Sequence, residues 1–268
     1  EGPDLGSENR IFLRSPKVAV VCDIPTSPTS FGAIIYLLEQ CYQLSYTPLP
    51  AATLSYGDLK KYNVIIMPDA SDGFGDYENF INNDTIKKLD RWVKNGGTLI
   101  ALKDAAAFLV DNGKLTSVTR ISKFIKDSAD PLEKKEEKSK KGKEEDKGAR
   151  PDYIAGAIAL TKLEQEHFLG FGYATSELGV LVNSRYVFSA PEDVTVVARY
   201  SDAEQLKIAG HFWEIAKKRL ANKAYLTHEE LEDGNIILFA DDPNFRAYWE
   251  SLTRLFMNGI LFGPSMKN

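Results

Sequence analysis

The sequence predicts an α/β fold in which a mostly parallel sheet carries helices on both faces and gains antiparallel strands in its C-terminal half. Residues 17–23, 63–69 and 98–102 are continuous apolar runs, which are typical of strands buried on both faces. Between them, residues 30–41 and 84–95 place apolar side chains at helical spacing. Strands that alternate with helices in this way form parallel sheets with right-handed crossovers. The N-terminal part therefore predicts half of a doubly wound domain.

The two predicted helices have recognisable ends. Ser30 opens the first helical pattern and is a residue type that caps helix N-termini. In the second helix, four apolar residues share the face that we expect to point into the core: Ile86, Leu89, Trp92 and Val93. Gly96 and Gly97 follow, and glycine accepts the left-handed dihedral angles of a helix C-terminus. A short extended segment is predicted at residues 46–49.

The C-terminal half is predicted to be mainly β. Short strands are expected at residues 157–163, 179–182, 186–189, 194–200 and 205–209. Residues 224–227 and 235–239 flank a turn at residues 232–234, which predicts a hairpin. The last expected element is a helix over residues 248–262.

Residues 127–150 differ sharply from the rest of the chain. Sixteen of these 24 residues are charged, eight acidic and eight basic, and none is aromatic. Such a segment buries too little apolar surface to offset the entropy of ordering it, so we expect a flexible, solvated insertion. We predict a single domain over residues 1–268 that carries this insertion.

The composition excludes several classes of function. The 268 residues include 33 basic and 38 acidic side chains, and a net charge of −5 argues against a nucleic-acid platform. No apolar run approaches the roughly 20 residues that a membrane helix needs. The chain begins at Glu1 without a signal peptide, and we expect this start to result from processing or trimming. Cys22 and Cys41 form no metal-binding or disulfide pattern, and we expect two free, mostly buried thiols.

Acidic residues follow the predicted strands and define a candidate ligand edge. We expect five carboxylates to meet where the strands end: Asp69, Asp72, Asp104, Asp241 and Asp242. Such a group can hold a hard cation, but aspartate is also an ordinary turn and cap residue. Cys22 ends the first strand at the same edge. Gly73 and Gly75 could cradle an anion with their backbone amides, but we favour a turn that needs unusual dihedral angles. No metal or cofactor is assigned to this chain.

His211 and Glu214 have the H-x-x-E spacing of some zinc enzymes. A catalytic zinc site needs three protein ligands and an open position for water, and only His228 follows in this sequence. Short motifs of this kind arise by chance, so we favour aromatic packing at His211 and keep zinc as a weak alternative. We expect His167 and His228 to be surface or turn residues.

Residues 92–102, with Gly96 and Gly97 between a helix and a strand, resemble class I glutamine amidotransferase-like domains. Further segments are similar to the variant of that domain found at the C-terminus of bacterial zinc carboxypeptidases of the carboxypeptidase A type. These segments are residues 150–154, 167–173, 194–200, 220–224 and 234–239, the last leading to Phe245 and Arg246. The resemblance extends from about Lys17 to Phe262 and implies an α/β, flavodoxin-like sandwich.

The resemblance also implies where the catalytic residues of an active amidotransferase would lie. The nucleophile is a cysteine at a tight turn between a strand and a helix, which corresponds to residues 102–106, with Asp104 at the approximate nucleophile position. The general base is a histidine after a late strand, with an acid two residues later; the matching stretch here is residues 240–244, in which Asp241 and Asp242 replace it and Asp242 is at the base position. Aspartate cannot form the thioester on which glutamine hydrolysis depends. We therefore expect a degenerate site.

The favoured function is a non-catalytic accessory domain of an exported zinc carboxypeptidase. The resemblance implies a zinc-dependent peptidase domain upstream in the same polypeptide and a periplasmic or extracellular location. The net charge predicts no nucleic-acid partner, and a homodimer is compatible with the sequence. One alternative is a stand-alone hydrolase that uses Cys22 or the edge formed by Asp104, Asp241 and Asp242. Another is a ligand- or glycan-binding module at the strand edge, which includes Arg246.

Overall fold

The computed structural model describes residues 11–71, 76–113, 115–121, 154 and 156–266, without the side chains of residues 112 and 113. Asp72, Gly73 and Gly75 lie outside the described residues, as does the charged segment 127–150. The flexible insertion and the single-domain assignment therefore stay predictions. Within the part of the chain that is described, no helix is both long enough and apolar enough to cross a membrane.

The described elements alternate between strands and helices in the N-terminal half and are mainly strands afterwards. The strands are β1 Val18–Cys22, β2 Tyr46–Pro50, β3 Val64–Met67, β4 Thr98–Leu102, β5 Thr119–Arg120, β6 Ala157–Leu163, β7 Glu177–Val182, β8 Phe188–Ser189, β9 Thr195–Tyr200, β10 Lys207–Gly210, β11 Ala224–Leu231 and β12 Gly234–Phe239. The α-helices are α1 Pro28–Tyr36, α2 Thr53–Tyr56, α3 Asn83–Lys94, α4 Asp104–Phe108, α5 Glu214–Leu220 and α6 Thr253–Phe262.

The strands form one mixed sheet. Its parallel part has the order β2-β1-β3-β4-β12, which confirms the predicted parallel half and places β12 beside β4. From β12 the sheet continues antiparallel through β11, β9 and β6. Both β10 and β7 pair with β6, and β8 pairs with β11 on one side and with β5 on the other. This is the predicted α/β, flavodoxin-like architecture, although antiparallel pairs form more of the sheet than expected.

The core lies between the parallel strands and the helices packed on them. Every residue of β3 and β4 is buried, as the continuous apolar runs predict. The four residues predicted to face inward on α3 are also buried. On α6, a Cβ added at Gly259 would lie 3.2 Å from the Cδ1 atoms of both Ile100 and Ile237. The helix therefore packs directly on β4 and β12, where a larger side chain would crowd the core.

Two helix ends were predicted. The N-terminal cap of α1 differs from the prediction, whereas the C-terminal end of α3 agrees with it. The cap of α1 is Ser27, whose hydroxyl accepts from the backbone N–H of Ser30, and Pro28 follows at the first position of the helix. Proline is tolerated there because its missing N–H would be unpaired anyway. The prediction of Ser30 as the cap was wrong, and the last part of the predicted helix is a π-helical turn over Leu37–Cys41. The predicted end of α3 at Gly96 is confirmed by its φ of 96°.

The strand β2 lies at one edge of the sheet and contains two prolines. Pro48 and Pro50 are opposite Val20 and Cys22 of β1. The N–H of Ala51 donates to the carbonyl of Cys22 at 3.1 Å, so the odd-numbered residues of this segment face β1. The nitrogens of both prolines therefore point away from the sheet, as is usual for proline in an edge strand.

Both cysteines are free, as predicted. Cys22 is half-buried at the end of β1, whereas Cys41 is exposed, so the expectation of two mostly buried thiols was wrong for Cys41. Cys41 ends the π-helical turn on the solvent side of the first helical segment. The last helix is also shorter than predicted, because Glu250–Leu252 forms a 3₁₀ turn before α6 begins.

His167 and His228 are joined in a chain of hydrogen bonds. His167 is half-buried at the bend that caps a 3₁₀ turn over Phe168–Gly170, in agreement with the prediction of a surface or turn residue, whereas His228 is buried on β11, so the prediction was wrong for His228. The N–H of Leu169 donates to Nδ1 of His167, and Nε2 of His167 lies 3.0 Å from Nδ1 of His228. Nε2 of His228 lies 2.8 Å from Oδ1 of Asn235, whose amide donates to the carbonyl of Gly263. Each ring therefore accepts at Nδ1 and donates at Nε2, which requires both imidazoles to be neutral.

Candidate functional site: a lysine at the strand-to-helix turn

The turn from β4 to α4 is a strained elbow. Lys103 has φ 48° and ψ −105°, a conformation that non-glycine residues rarely adopt. Its N–H donates to the carbonyl of Phe239 at 2.9 Å, and its carbonyl accepts from Ala107, so β12 and α4 hold the turn from both sides. A strained residue between strand and helix is the geometry of a nucleophile elbow. The predicted turn is present, but the strained residue is Lys103 and not Asp104.

Asp69 holds the Lys103 side chain. Asp69 follows β3, and its Oδ2 lies 2.8 Å from Nζ of Lys103. Its Oδ1 accepts from the backbone N–H of Asp104 at 3.3 Å. One carboxylate thus binds the side chain at the elbow and the first amide of α4, which fixes the ammonium over the end of the parallel sheet.

The two aspartates after β12 are buried acceptors. Asp241 is 1% exposed and accepts from the N–H of Asn183 and the hydroxyl of Ser184 at 3.2 and 3.1 Å. Asp242 accepts from the hydroxyl of Ser30 at 2.6 Å and from the N–H of Asn244 at 2.8 Å. These bonds compensate for part of the cost of burying the two carboxyl groups.

Ser30 connects two of the buried aspartates. Its hydroxyl donates to Asp242 and accepts from the backbone N–H of Asp69 at 3.3 Å. The strand ends thus bring Asp69, Asp104, Asp241 and Asp242 into one cluster around Lys103, as the sheet topology predicts. We call these five residues the elbow cluster.

Burial and mutual repulsion shift the titration of the elbow cluster. Burial, together with the negative charge of Asp104, raises the pKa of Asp69 well above its usual range despite the opposing Lys103 charge. Burial also raises the pKa of Asp241 to about 7 and raises the pKa of Asp242. For Lys103, burial lowers the pKa, but the surrounding carboxylates, first Asp69 and then Asp241, outweigh it and keep the pKa above its ordinary value. The elbow residue is therefore an ammonium ion at neutral pH.

Two residues that complete the site, Tyr186 and Ser30, were not predicted from the sequence as site residues. The hydroxyl of Tyr186 donates to Oδ1 of Asp104, and the Arg120 guanidinium lies 5.4 Å from the centre of the Tyr186 ring. Burial of Tyr186 and its bond to Asp104 raise the pKa of the phenol above its normal value. Ser30 was predicted only as a helix cap. Neither residue carries a local signal, because the contacts join segments 82 and 212 positions apart.

The other predicted site residues have simpler roles. Burial, and then the charge of Asp23, raises the pKa of Cys22, which disfavours the thiolate. Arg246 is exposed in a turn over Phe245–Ala247, and its guanidinium lies 5.2 Å from the Phe245 ring centre. His211 and Glu214 are both exposed, and the His211 ring packs edge-on against Trp213 at 4.5 Å. Among the described residues, no three His, Cys, Asp or Glu side chains are placed to hold a metal ion.

Comparison with known proteins supports the fold. No protein-family model matches the chain, and no curated protein matches its sequence. A ThuA-like protein from Parabacteroides merdae ATCC 43184 superposes with a TM-score of 0.58 at 11% identity, covering 95% of this chain and 91% of its own. A ThuA-like protein from Bacteroides uniformis ATCC 8492 gives 0.54 at 13% identity, covering 94% of each chain. A cytoplasmic protein from Salmonella typhimurium gives 0.51 at 14%, covering 91% and 97%.

These identities are low, so the likeness concerns the fold alone. The mixed sheet, with helices packed on it, has the α/β, flavodoxin-like fold that the sequence predicts. The chain is similar in fold to ThuA-like proteins along nearly its whole length. What the site does must be argued from its own residues.

Proposed function

We propose that this chain is a non-catalytic amidotransferase-like domain that serves as the C-terminal module of an exported zinc carboxypeptidase. The observation that carries the non-catalytic part is Lys103 at the elbow. Its ammonium is paired with Asp69 at 2.8 Å, and the surrounding carboxylates favour its charged form. A charged amine has no lone pair for attack, so the residue at the nucleophile position is inert.

The described residues around Lys103 also lack the other groups that glutamine hydrolysis requires. Glutamine hydrolysis needs a thiolate that forms a thioester and an imidazole that transfers the proton. Beyond the cluster itself, the described contacts of its side chains are to Ser and Tyr hydroxyl groups and to backbone N–H groups. His228, on β11, is bonded to Asn235 and His167 instead. The site is therefore a network that stabilises the strand ends.

The stand-alone hydrolase has less support. Cys22 is half-buried, and its raised pKa leaves the thiol protonated at neutral pH. Asp241 and Asp242 already accept two hydrogen bonds each, so they are engaged in the fold. A nucleophilic or basic carboxylate would have to exchange these partners for substrate.

The assignment to a zinc carboxypeptidase is supported by the sequence resemblance of residues 167–173, 194–200 and 234–239. On this proposal the peptidase domain lies upstream in the same polypeptide and is the main partner of this chain. Its zinc would polarise the scissile carbonyl and activate water, while this module supports or orients it. Export to the periplasm or the extracellular space follows from the same resemblance. Size-exclusion chromatography with light scattering will show whether the chain also forms a homodimer.

The non-catalytic part is tested with the purified chain. We expect no hydrolysis of glutamine or of C-terminal peptide bonds above the buffer rate, and no difference between the parent chain and the Lys103→Met and Asp104→Ala variants. A hydrolysis rate that either substitution abolishes would overturn the proposal. A rate that both variants retain is tested with Cys22→Ser, and its loss there would establish the cysteine hydrolase.

The parent protein is tested in the source cells. Antibodies raised against this 29.9 kDa chain should detect a substantially larger species that contains zinc when purified. A native species near the mass of the chain itself would contradict the accessory role. A larger species without bound zinc would contradict the carboxypeptidase assignment and leave the non-catalytic assignment intact.

A further inference from the structure

The short turn Phe245–Ala247, which follows β12, has strained backbone at two successive residues. Arg246 has φ 52° and Ala247 has φ 53°, left-handed values that non-glycine residues rarely adopt. Such strain persists where the surrounding structure fixes it, and it is concentrated at functional positions. The next residue, Tyr248, is 79% exposed. The fold thus holds an aromatic side chain in solvent next to costly backbone.

The residues around Tyr248 are fixed by hydrogen bonds. The N–H of Tyr248 donates to the carbonyl of Phe245 at 3.0 Å, and the N–H of Glu250 donates to the carbonyl of Tyr248 at 3.2 Å. The indole N–H of Trp249 donates to the carbonyl of Gly179 on β7 at 3.1 Å. The segment is therefore a pre-formed surface, which pays little ordering entropy when it binds.

The loop over residues 169–173 lies beside this segment and adds further aromatic side chains. The hydroxyl of Tyr173 donates to the carbonyl of Ser251 at 2.6 Å, so the loop and the segment are in direct contact. The side-chain amide of Asn258 donates to the carbonyl of Phe171 at 3.0 Å, which holds the loop on α6. Phe171 is itself exposed.

Tyr42 lies near the same loop. Burial raises the pKa of Tyr173 to about 12, and a smaller contribution of Tyr42 in the same direction places Tyr42 within electrostatic reach. Tyr42 is exposed as well. We call the surface that these segments form the tyrosine face, and its members are Tyr42, Phe171, Tyr173, Arg246, Tyr248 and Glu250.

The tyrosine face carries one charge of each sign on either side of Tyr248. Arg246 precedes Tyr248 by two residues, Glu250 follows it by two, and both are exposed. None of the ion pairs among the described residues involves Arg246 or Glu250, whereas the neighbouring Arg254 is bonded to the carbonyl of Gly172. Across a two-fold axis, position i of one copy meets position j of the other and j meets i. Opposite charges that flank one residue are therefore complementary to a second copy of themselves.

We propose that the tyrosine face binds a second copy of this chain about a two-fold axis near Tyr248, with Arg246 of each copy facing Glu250 of the other. Tyrosine and arginine are enriched at protein interfaces, where tyrosine supplies a large contact area at a low cost in side-chain entropy. A glycan would use the aromatic rings but would leave the two opposite charges without partners. A second copy pairs both of them. This inference goes beyond the accessory role and does not depend on it.

The mass of the parent chain in solution is the first measurement. Interfaces of standard size have dissociation constants that range from micromolar to picomolar, so light scattering and sedimentation equilibrium are carried out from about 1 to about 100 μM. We expect a species of twice the 29.9 kDa of one chain. A parent chain that stays monomeric over this whole range overturns the proposal.

Charge reversals distinguish the tyrosine face from other surfaces. Arg246→Glu and Glu250→Arg should each weaken dimerisation by at least about tenfold, because each places two pairs of like charges across the axis. An equimolar mixture of the two variants should form a dimer again, since opposite charges then meet at both contacts. Arg91→Glu, on the exposed side of α3, is the matched control and should dimerise like the parent.

Melting temperatures equal to that of the parent confirm that the variants fold. If a reversal lowers the melting temperature, Tyr248→Ser takes its place, because this side chain is mostly in solvent and its loss should also weaken the dimer. The proposal is overturned if the folded variants dimerise like the parent, or if the equimolar mixture of the two reversals stays monomeric. These measurements concern association alone, so they are distinct from the hydrolysis assays at the elbow.

Discussion

Acidification should weaken the hydrogen-bond chain that joins His167, His228 and Asn235. Burial, and then the charge of His228, lowers the pKa of His167 from 6.5 to about 4. Burial also lowers the pKa of His228, although Asn235 and the nearby carboxylates of Glu230 and Glu229 act in the opposite direction. A proton on either ring would replace an acceptor with a donor, so the chain exists only while both rings are neutral.

The sign and size of the loss of stability follow from the pKa of His167 in the unfolded state and in the folded state. As pH falls below 6.5 the unfolded state takes up a proton before the folded state does, because the pKa of His167 is lower in the folded protein. The stability that depends on neutral His167 is therefore complete above pH 6.5 and is lost as pH falls toward 4. The full difference corresponds to about 3.4 kcal/mol, and partial solvent exposure of His167 reduces our expectation to about 1.5 kcal/mol.

Urea unfolding followed by tryptophan fluorescence, from about pH 7.5 to about pH 4.5, measures this loss. The His167→Gln variant retains a side-chain donor for His228 but does not titrate in this range, so it should be less stable at neutral pH and lose less stability on acidification. His211→Gln, at an exposed histidine, is the matched control and should follow the parent. The reasoning is refuted if the stability profiles of the parent and of His167→Gln against pH are parallel.

Two further predictions concern the elbow cluster and the thiols. Lys103→Met should lower the free energy of unfolding at neutral pH by about 1–3 kcal/mol, because it removes the hydrogen-bonded ammonium that offsets the cost of burying the Asp69 carboxyl group. Urea unfolding measures this, with the exposed Lys60→Met as control, and equal losses in both variants would contradict the role of the ion pair. Cys41 should react with iodoacetamide faster than Cys22, because Cys41 is exposed and burial raises the pKa of Cys22. Peptide mass spectrometry over time checks this, and faster labelling of Cys22 would reopen the cysteine hydrolase.

Elements with a strong local pattern were predictable from the sequence. The bounds of β4 at Thr98–Leu102 and of β6 at Ala157–Leu163 agree with the prediction to the residue. In β4 every residue is buried and the sequence is continuously apolar, whereas in β6 fully buried residues alternate with more accessible ones. The end of α3 was marked by two glycines. In each case the signal lies within about a dozen residues, where periodicity and helix-ending residues act.

Features that depend on tertiary register were not predictable. The elbow residue is Lys103 because its N–H is bonded to Phe239, and that bond is set by the pairing of β4 with β12 across more than a hundred residues. His167 and His228 meet only because β11 lies inside the antiparallel part of the sheet. The aspartates after the strands could be placed at one edge from topology alone. Their lysine partner could not, since it has no sequence motif.

The two prolines of β2 also bear on how copies of this chain can meet. An open sheet edge ordinarily offers amide donors to which the strand of another molecule can add. The nitrogens of Pro48 and Pro50 face outward from this edge and carry no hydrogen, so two successive outward positions offer no donor. Addition of a strand from another molecule at the parallel end is therefore disfavoured, because the incoming strand would find two backbone donors missing. Self-association of the folded domain is favoured instead through side-chain surfaces or through the antiparallel end.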